Sequence, residues 1–271
     1  MTKKSLIFLF IFSLLSISCQ TVQKNETVIE NTIYESKDYL HKITSKTYYI
    51  AEHNTSCTII SIDLDIPGLE LIIKPSSPEN KQFPLYSLDS FSREFNSIVS
   101  INTTPFYTRK NYFAPLGITK IDNNIISPAE EKYSAIAFYT NKNKKLRSVI
   151  LKSQKDEEIQ KYPFVIGGYF KLLENNQLTF DKNITRRSRS AIGVSKDGRF
   201  LYLLCAVPVN SLLDNNGLTF NECAQELQNA GSYNVLLLDG GHSSSIAVKD
   251  RIIQKPIGQK KVPSVLGFSI N

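Results

Sequence analysis

The chain has few of the residues on which many sites and scaffolds depend. It has three histidines, His41, His53 and His242, far apart in sequence, and no Cys/His spacing matches a zinc site. It has four cysteines, too few for a disulfide-dense scaffold. No Gly/Ser/Pro-rich stretch divides it, and no internal repeat is present. Its longest apolar run, Leu6–Ile17, is shorter than the roughly 20 residues a membrane span needs. Net charge is modest, at +7. Without an aromatic-basic motif, nucleic acid is not an expected partner.

The N-terminus reads as a targeting segment. Lys3 and Lys4 form a short basic region before the apolar run, as in a signal peptide. The run closes on Leu14-Leu15-Ser16-Ile17-Ser18-Cys19. Small residues directly before a cysteine resemble a lipobox, in which Cys19 is lipidated and becomes the new N-terminus. Ser16 makes it a loose one, and the alternative is plain secretion with an incidental cysteine. The expected organisation is a signal peptide over 1–18, a lipidated cysteine and polar tether over 19–42, and one domain over 43–271. Without residues 1–18 the chain has 30 basic and 25 acidic residues. Such a surface suits anionic glycans, phosphates or lipid headgroups.

Cys57, Cys205 and Cys223 remain for the domain, so at most one pair forms. If a pair forms it is Cys205 with Cys223, and both are equally well read as buried apolar thiols.

Short runs rich in Ile, Val, Leu, Phe and Tyr predict strands over 57–65, 69–74, 97–102, 134–139, 146–151, 200–207, 235–239, 244–249 and 265–270. Leu201–Leu204 and Val235–Leu238 are apolar on both faces and belong mid-sheet. A helix is predicted over 220–230. Thr219 is its N-cap, Glu222 completes a capping box, and Gly231 follows its end. A second helix is predicted over 86–95. The expected fold is α+β, a single domain with a mixed central β-sheet, a few packed helices and long loops.

The segment Leu236-Leu237-Leu238-Asp239-Gly240-Gly241-His242-Ser243-Ser244 is the most informative. A buried strand ends in a carboxylate, followed by glycines that allow a ligand near the backbone and by a run of hydroxyls. The competing reading is a tight hairpin capped by Asp239. Asp239, His242 and Ser243 do not form a serine-hydrolase triad. A nucleophile elbow needs Gly-x-Ser-x-Gly, and the second glycine is Ser245 here. Arg186, Arg187 and Arg189 precede another strand, either as an anion site or as a solvated basic loop.

In order, these segments resemble the phosphodiester glycosidase family over roughly residues 57–271. Ile98–Phe106 lies where the family has a strand ending in Asn-Gly-Gly-Phe-Phe. Pro115-Leu116-Gly117 matches Pro-x-Gly, and Phe164–Leu173, with Gly167-Gly168, resembles the Gly-Gly-Pro-x-Leu-Leu stretch. Arg189-Ser190-Ala191-Ile192-Gly193 matches Arg-Thr-Ala-Ile-Gly. Gly217-Leu218-Thr219 leads into the family's Glu-containing helix, and Leu238–Ser244 resembles Leu-Asp-Gly-Gly-Gly-Ser-Ser. Two departures stand out. Asn102-Thr103-Thr104-Pro105-Phe106 has lost both glycines, and His242 replaces the third glycine of the Asp-Gly-Gly-Gly run.

The resemblance implies hydrolysis of a sugar-1-phosphodiester at the anomeric carbon. Asp239 is then the carboxylate facing the sugar or the attacking water. Arg189 is the phosphate ligand, and His242 a proton donor or acceptor. Asn102, Gly168, Gly240, Gly241, Ser243 and Ser244 are expected at the substrate. Glycosidases usually pair two carboxylates, and Glu222, already needed by its capping box, is the weaker candidate for the second. The expected partners are a glycan or sugar-phosphate substrate and, through the lipid, a membrane. No cofactor is expected, although an oxygen-ligated divalent cation is compatible with the sequence. The alternative function is a glycan-binding surface lipoprotein without turnover.

Overall fold

The computed structural model describes residues 28–37, 40–75, 82–109, 112–180, 185–210 and 216–271. Cys19 and the signal-peptide segment lie outside the described residues, and none of the helices described is long and apolar enough to cross a membrane.

The first half holds β1 (Ile29–Glu35), β2 (Lys42–Ile50), β3 (Thr55–Asp63), β4 (Leu69–Lys74), α1 (Leu88–Phe95), β5 (Val99–Asn102), β6 (Phe106–Arg109) and β7 (Tyr112–Pro115). Then come β8 (Thr119–Ile121), β9 (Asn124–Ser127), β10 (Ala135–Thr140), β11 (Leu146–Leu151), α2 (Asp156–Ile159), β12 (Phe164–Gly167), β13 (Lys171–Glu174) and β14 (Gln177–Leu178). The chain ends with β15 (Arg189–Val194), β16 (Phe200–Pro208), α3 (Phe220–Asn229), β17 (Asn234–Leu237), β18 (Ile246–Val248), β19 (Arg251–Gln254) and β20 (Val265–Ile270).

The strands form an eight-stranded sheet, β1-β2-β3-β16-β15-β17-β13-β14, and two five-stranded sheets, β11-β10-β12-β8-β9 and β19-β18-β5-β20-β4. The β6–β7 hairpin stands apart. This corrects the expected mixed sheet: the pairings described are antiparallel. Strand dominates and helices are few. The reason lies in the connections. Adjacent strands such as β15–β16 and β10–β11 are joined by short turns, which suit antiparallel pairs, whereas parallel pairs need long crossovers.

Alternation along the strands builds the layers. Ile192, Leu203, Leu236 and Leu238 face a central core shared with Ile101, Ile246 and Leu266 of one smaller sheet and Ile136 and Ile166 of the other. Their neighbours Ala191, Leu204, Val235 and Leu237 face outward, where Cys223, Ala224 and Leu227 of α3 cover them. α1 covers the outer face of the β5-containing sheet through Leu88 and Phe91, against Ala247 and Val265. The doubly apolar strands are therefore covered on both faces, as their sequences require.

Two expectations change in detail, and the state of the cysteines is decided. Ile29–Glu35, within the expected tether, is a strand paired with β2. It is an edge strand with mostly exposed side chains, so backbone pairing rather than apolar alternation carries it. The first helix starts at Leu88 rather than Tyr86, because the Tyr86 backbone is bridged to Val262. Cys57, Cys205 and Cys223 are free, buried thiols. This decides between the two readings of Cys205 and Cys223: Cys205 faces the central core, and Cys223, on α3, packs against the other face of the sheet.

Candidate active site

The site forms where the β5 sheet meets the eight-stranded sheet. β17 ends at Leu237, and Asp239 follows two residues beyond. The next turn, Gly241–Ser243, is a single turn of 3-10 helix. Gly241 sits at φ 62° in the left-handed region, where a side chain is strained. The Gly241 N–H donates to the Ser188 carbonyl at 2.9 Å, which ties this turn to the residue before β15.

Asn102, the last residue of β5, is the joint. Its Nδ2 donates to the Asp239 carbonyl at 2.7 Å. Its Oδ1 accepts from the Ser190 hydroxyl at 2.7 Å and the Ser245 N–H at 3.0 Å. The Asp239 N–H in turn donates to the Thr103 carbonyl at 2.8 Å. The Asn102–Thr103 segment thus holds both the N–H and the carbonyl of Asp239, and Ser190 and Ser245 hold the Asn102 side chain in place. Asn102 is fully buried and acts on the site through this network.

Burial pushes the Asp239 carboxyl up to about 6, although hydrogen bonds from Ser243 and the Gly240 N–H, and the charge of Lys260, pull it down. A carboxyl with this value exchanges a proton near neutral pH. Nearby Tyr169 is pushed up to about 12, first by its own burial and then by the charge of Asp239. Lys260 is exposed, and its N–H donates to the His242 carbonyl at 2.8 Å, so the 258–262 loop lies against the Asp239 turn. The His242 ring is exposed at the same edge.

Arg189 is placed otherwise than expected of a phosphate ligand. It is buried, donating from Nε to the Leu218 carbonyl at 3.0 Å and from Nη2 to the Thr185 carbonyl at 2.9 Å. Its guanidinium lies 4.5 Å from the centre of the Phe220 ring. It braces the start of α3 beside the site. Gly168 has a packing role, since a side chain there would meet Leu236 and the Leu237 carbonyl at 2.7 Å. Glu222 has both oxygens engaged: one accepts from the Thr219 N–H at 2.8 Å, and the other pairs with Arg186 and with His53 at 3.0 Å. It caps α3, as the sequence indicated, and is not available as the second carboxylate.

Sequence reasoning missed Lys260. The only trace was the Lys260-Lys261 pair, which resembles any solvated charge. It also did not anticipate that the hydroxyls of Thr103, Thr104, Ser244 and Ser264 would be buried without hydrogen-bond partners among the described residues. The Thr103 N–H donates to the Ser264 carbonyl, so two of these residues are neighbours beside Asp239. Among the described residues no group of three or more His, Cys, Asp or Glu is placed to hold a metal.

Solved structures share this fold. A hypothetical protein from Synechocystis superposes with a TM-score of 0.64 at 17% identity, covering 84% of this chain and 62% of its own. The catalytic domain of zebrafish N-acetylglucosamine-1-phosphodiester alpha-N-acetylglucosaminidase, auto-inhibited by its pro-peptide, superposes with a TM-score of 0.62 at 15% identity. That alignment covers 91% of this chain and 83% of the zebrafish one. The chain thus spans less than two thirds of the Synechocystis protein. Among curated protein sequences there is no match. The phosphodiester glycosidase family model matches residues 95–269, which include Asn102, Arg189, Asp239 and Lys260. This chain belongs to the phosphodiester glycosidase family.

Proposed function

We propose that this chain is an exported hydrolase that cleaves a sugar-1-phosphodiester at the anomeric carbon, acting on envelope or host glycans. The observation that carries the reading is Asp239, a carboxyl pushed up to about 6 at the end of a buried strand, with a lysine beside it. Asp239 in its ionised form accepts a proton from water as the water oxygen bonds to the anomeric carbon. The bond from that carbon to the phosphate oxygen breaks, and its electron pair leaves with the phosphate monoester. The monoester gains one negative charge, which Lys260 stabilises. Phosphate is already a competent leaving group, so a strong general acid is not required. Ser243 and the Gly240 N–H hold the carboxylate, and His242 borders the entrance. No cofactor enters this scheme. The N-terminal segment supports export and anchoring through Cys19 in the cell envelope.

The test is incubation of the full chain with an α-N-acetylglucosamine-1-phosphodiester, followed by NMR, with Asp239→Asn as control. Free sugar from the wild type alone is expected. Equal release by both would remove Asp239 from the reaction.

One observation favours a second reading, a non-catalytic glycan- or phosphoglycan-binding protein: Thr103 and Thr104 fill the loop where the family has glycines. Saturable binding of the phosphodiester without any product would mark that case.

A further inference from the structure

The loop between β19 and β20 stands against the Asp239 turn, apolar at its tip and basic around it. It reads Lys255-Pro256-Ile257-Gly258-Gln259-Lys260-Lys261, with three lysines and no acidic residue. It is braced along its length. Gln254, just before it, donates from its side-chain amide to the Ser56 carbonyl at 2.8 Å. Val262, just after it, is bridged through its backbone to Tyr86, and the Lys260 N–H is held by the His242 carbonyl. Pro256 is buried, and Gly258 bends the tip at φ 72°. Ile257 is nevertheless 65% exposed, with Lys255, Lys260 and Lys261 exposed around it. A single exposed apolar residue is ordinary, so the weight falls on what shares this end of the molecule.

Strand register brings the start of β1 to the same end. Ile29 pairs with Thr47, Thr47 with Thr58, Thr58 with Cys205, and Cys205 with Ser190. The Ser190 carbonyl then accepts from the Leu238 N–H at 3.0 Å. One row of the eight-stranded sheet thus runs from the first residue of β1 to the residue before Asp239, about 24 Å at the usual strand spacing. Val28, Ile29 and Val209 are exposed at this end together with Ile257. Val209 follows the end of β16, and its N–H donates to the Asn54 carbonyl at 2.9 Å, beside the segment that receives Gln254. The exposed carboxylates here, Glu30 and Glu52, lie against Lys46 and His53, so they do not offset the loop lysines. Cys19 lies nine residues before Val28, a reach of at most about 30 Å.

We infer that this end of the domain is a docking face for an anionic lipid bilayer: Ile257 enters the headgroup boundary, Lys255 and Lys261 meet lipid phosphates, and the Asp239 site opens towards the membrane surface. The face rests on the anchored reading of the chain only for the distance from Cys19; the loop's own surface is independent of it. An apolar tip ringed by lysines suits a bilayer. The isoleucine leaves water for the boundary, and the ammonium groups stay hydrated on flexible stems beside the headgroups. Attraction to an anionic leaflet grows with each lysine near the surface. A lipid on Cys19 brings this end to the membrane, whereas Leu40, at the opposite end of β2, points the other way along the sheet.

The experiment places a bimane dye on Ile257→Cys or, as the far-end control, on Leu40→Cys, and reads quenching by nitroxide-bearing lipids. It uses the full chain with Cys19→Ser, which removes both the lipid and a competing thiol; the other three cysteines are buried. On vesicles of equal parts phosphatidylglycerol and phosphatidylcholine, the Ile257 dye should lose most of its emission and the Leu40 dye should keep it. The loss should disappear on phosphatidylcholine alone, and also when Lys255→Glu and Lys261→Glu are combined, with the unfolding midpoint showing that this variant folds. No quenching at Ile257, equal quenching at both positions, or equal quenching on neutral and anionic vesicles overturns the face. Turnover of a soluble phosphodiester is measured on the same protein. Turnover without selective quenching overturns the face alone, and selective quenching without turnover overturns only the hydrolase.

Discussion

The Asn102 side-chain amide holds the Asp239 backbone carbonyl at 2.7 Å, and so ties the end of one sheet to the carboxylate emerging from another. The same side chain accepts from Ser190 and Ser245. Asn102→Ala should therefore leave buried groups on three segments unpaired and lower stability by about 2–4 kcal/mol. It should also lower kcat by displacing Asp239. Denaturant midpoints and kcat measured on the same preparation check this. A stable variant with low kcat would show that Asn102 meets the substrate directly.

Asp239→Asn should abolish turnover without lowering the melting temperature. A carboxyl raised to about 6 in the folded state, against about 4 when unfolded, binds its proton more tightly when folded. Its ionisation therefore disfavours folding at neutral pH, and the penalty is relieved as pH falls through 6 towards 4. The amide removes it, so the variant should melt at the same or a higher temperature at pH 7. In the wild type kcat/KM should rise with pH through about 6, as the base ionises. A pH-rate profile falling across that value would make Asp239 an acid instead.

Lys260→Met should raise KM for a phosphodiester about three- to tenfold, the loss of one exposed charge contact, and leave the melting temperature unchanged. It should also move the rising limb of the pH profile upward, because Lys260 favours ionised Asp239. A purely surface role would move neither.

Arg189→Lys should act on folding, because a lysine cannot reproduce both carbonyl bonds and the stack on Phe220. A loss of about 1–3 kcal/mol is expected, read from the unfolding midpoint. Glu222→Gln should likewise lower stability while leaving kcat within about twofold of wild type, since its carboxylate serves the helix cap and Arg186. A collapse of kcat in a stable Glu222→Gln protein would return it to the reaction.

Far from the site, Asp63 sits under Arg199 and His41, at 2.8 Å and 2.7 Å. Burial alone would raise its carboxyl, but the hydrogen bonds from Arg199 and His41 outweigh that and hold it at about 2. The folded value lies below the unfolded one, so this stabilisation is complete above about pH 4 and is lost as pH falls towards 2. Acid unfolding of Asp63→Asn should show a smaller drop in stability over that window than wild type, from a starting point about 2 kcal/mol lower at pH 7.

Local sequence determined much of this protein. The capping box of Thr219 and Glu222, the strand bounds at Leu69–Lys74, Leu146–Leu151 and Val265–Ile270, and the double-sided burial of Val235–Leu238 follow from propensity and alternation over a few residues. The motif containing Asp239 was legible for the same reason, since a strand end, two glycines and hydroxyls are contiguous. Edge strands such as Ile29–Glu35 escaped notice, because backbone pairing with a distant segment leaves no apolar period to read.

What tertiary structure alone decided is where side chains aim. Arg189 and Lys260 look alike as cations in a sequence, yet one is stacked and bonded inside the fold and the other stands free beside Asp239. Glu222 was bound into a cap by its own neighbours, but only folding added Arg186 and His53 to it. The raised carboxyl of Asp239 and the row from Ile29 to Leu238 both arise from contacts between segments far apart in the chain. Burial, charge proximity and strand pairing are relations in space, and a linear order of residues does not contain them.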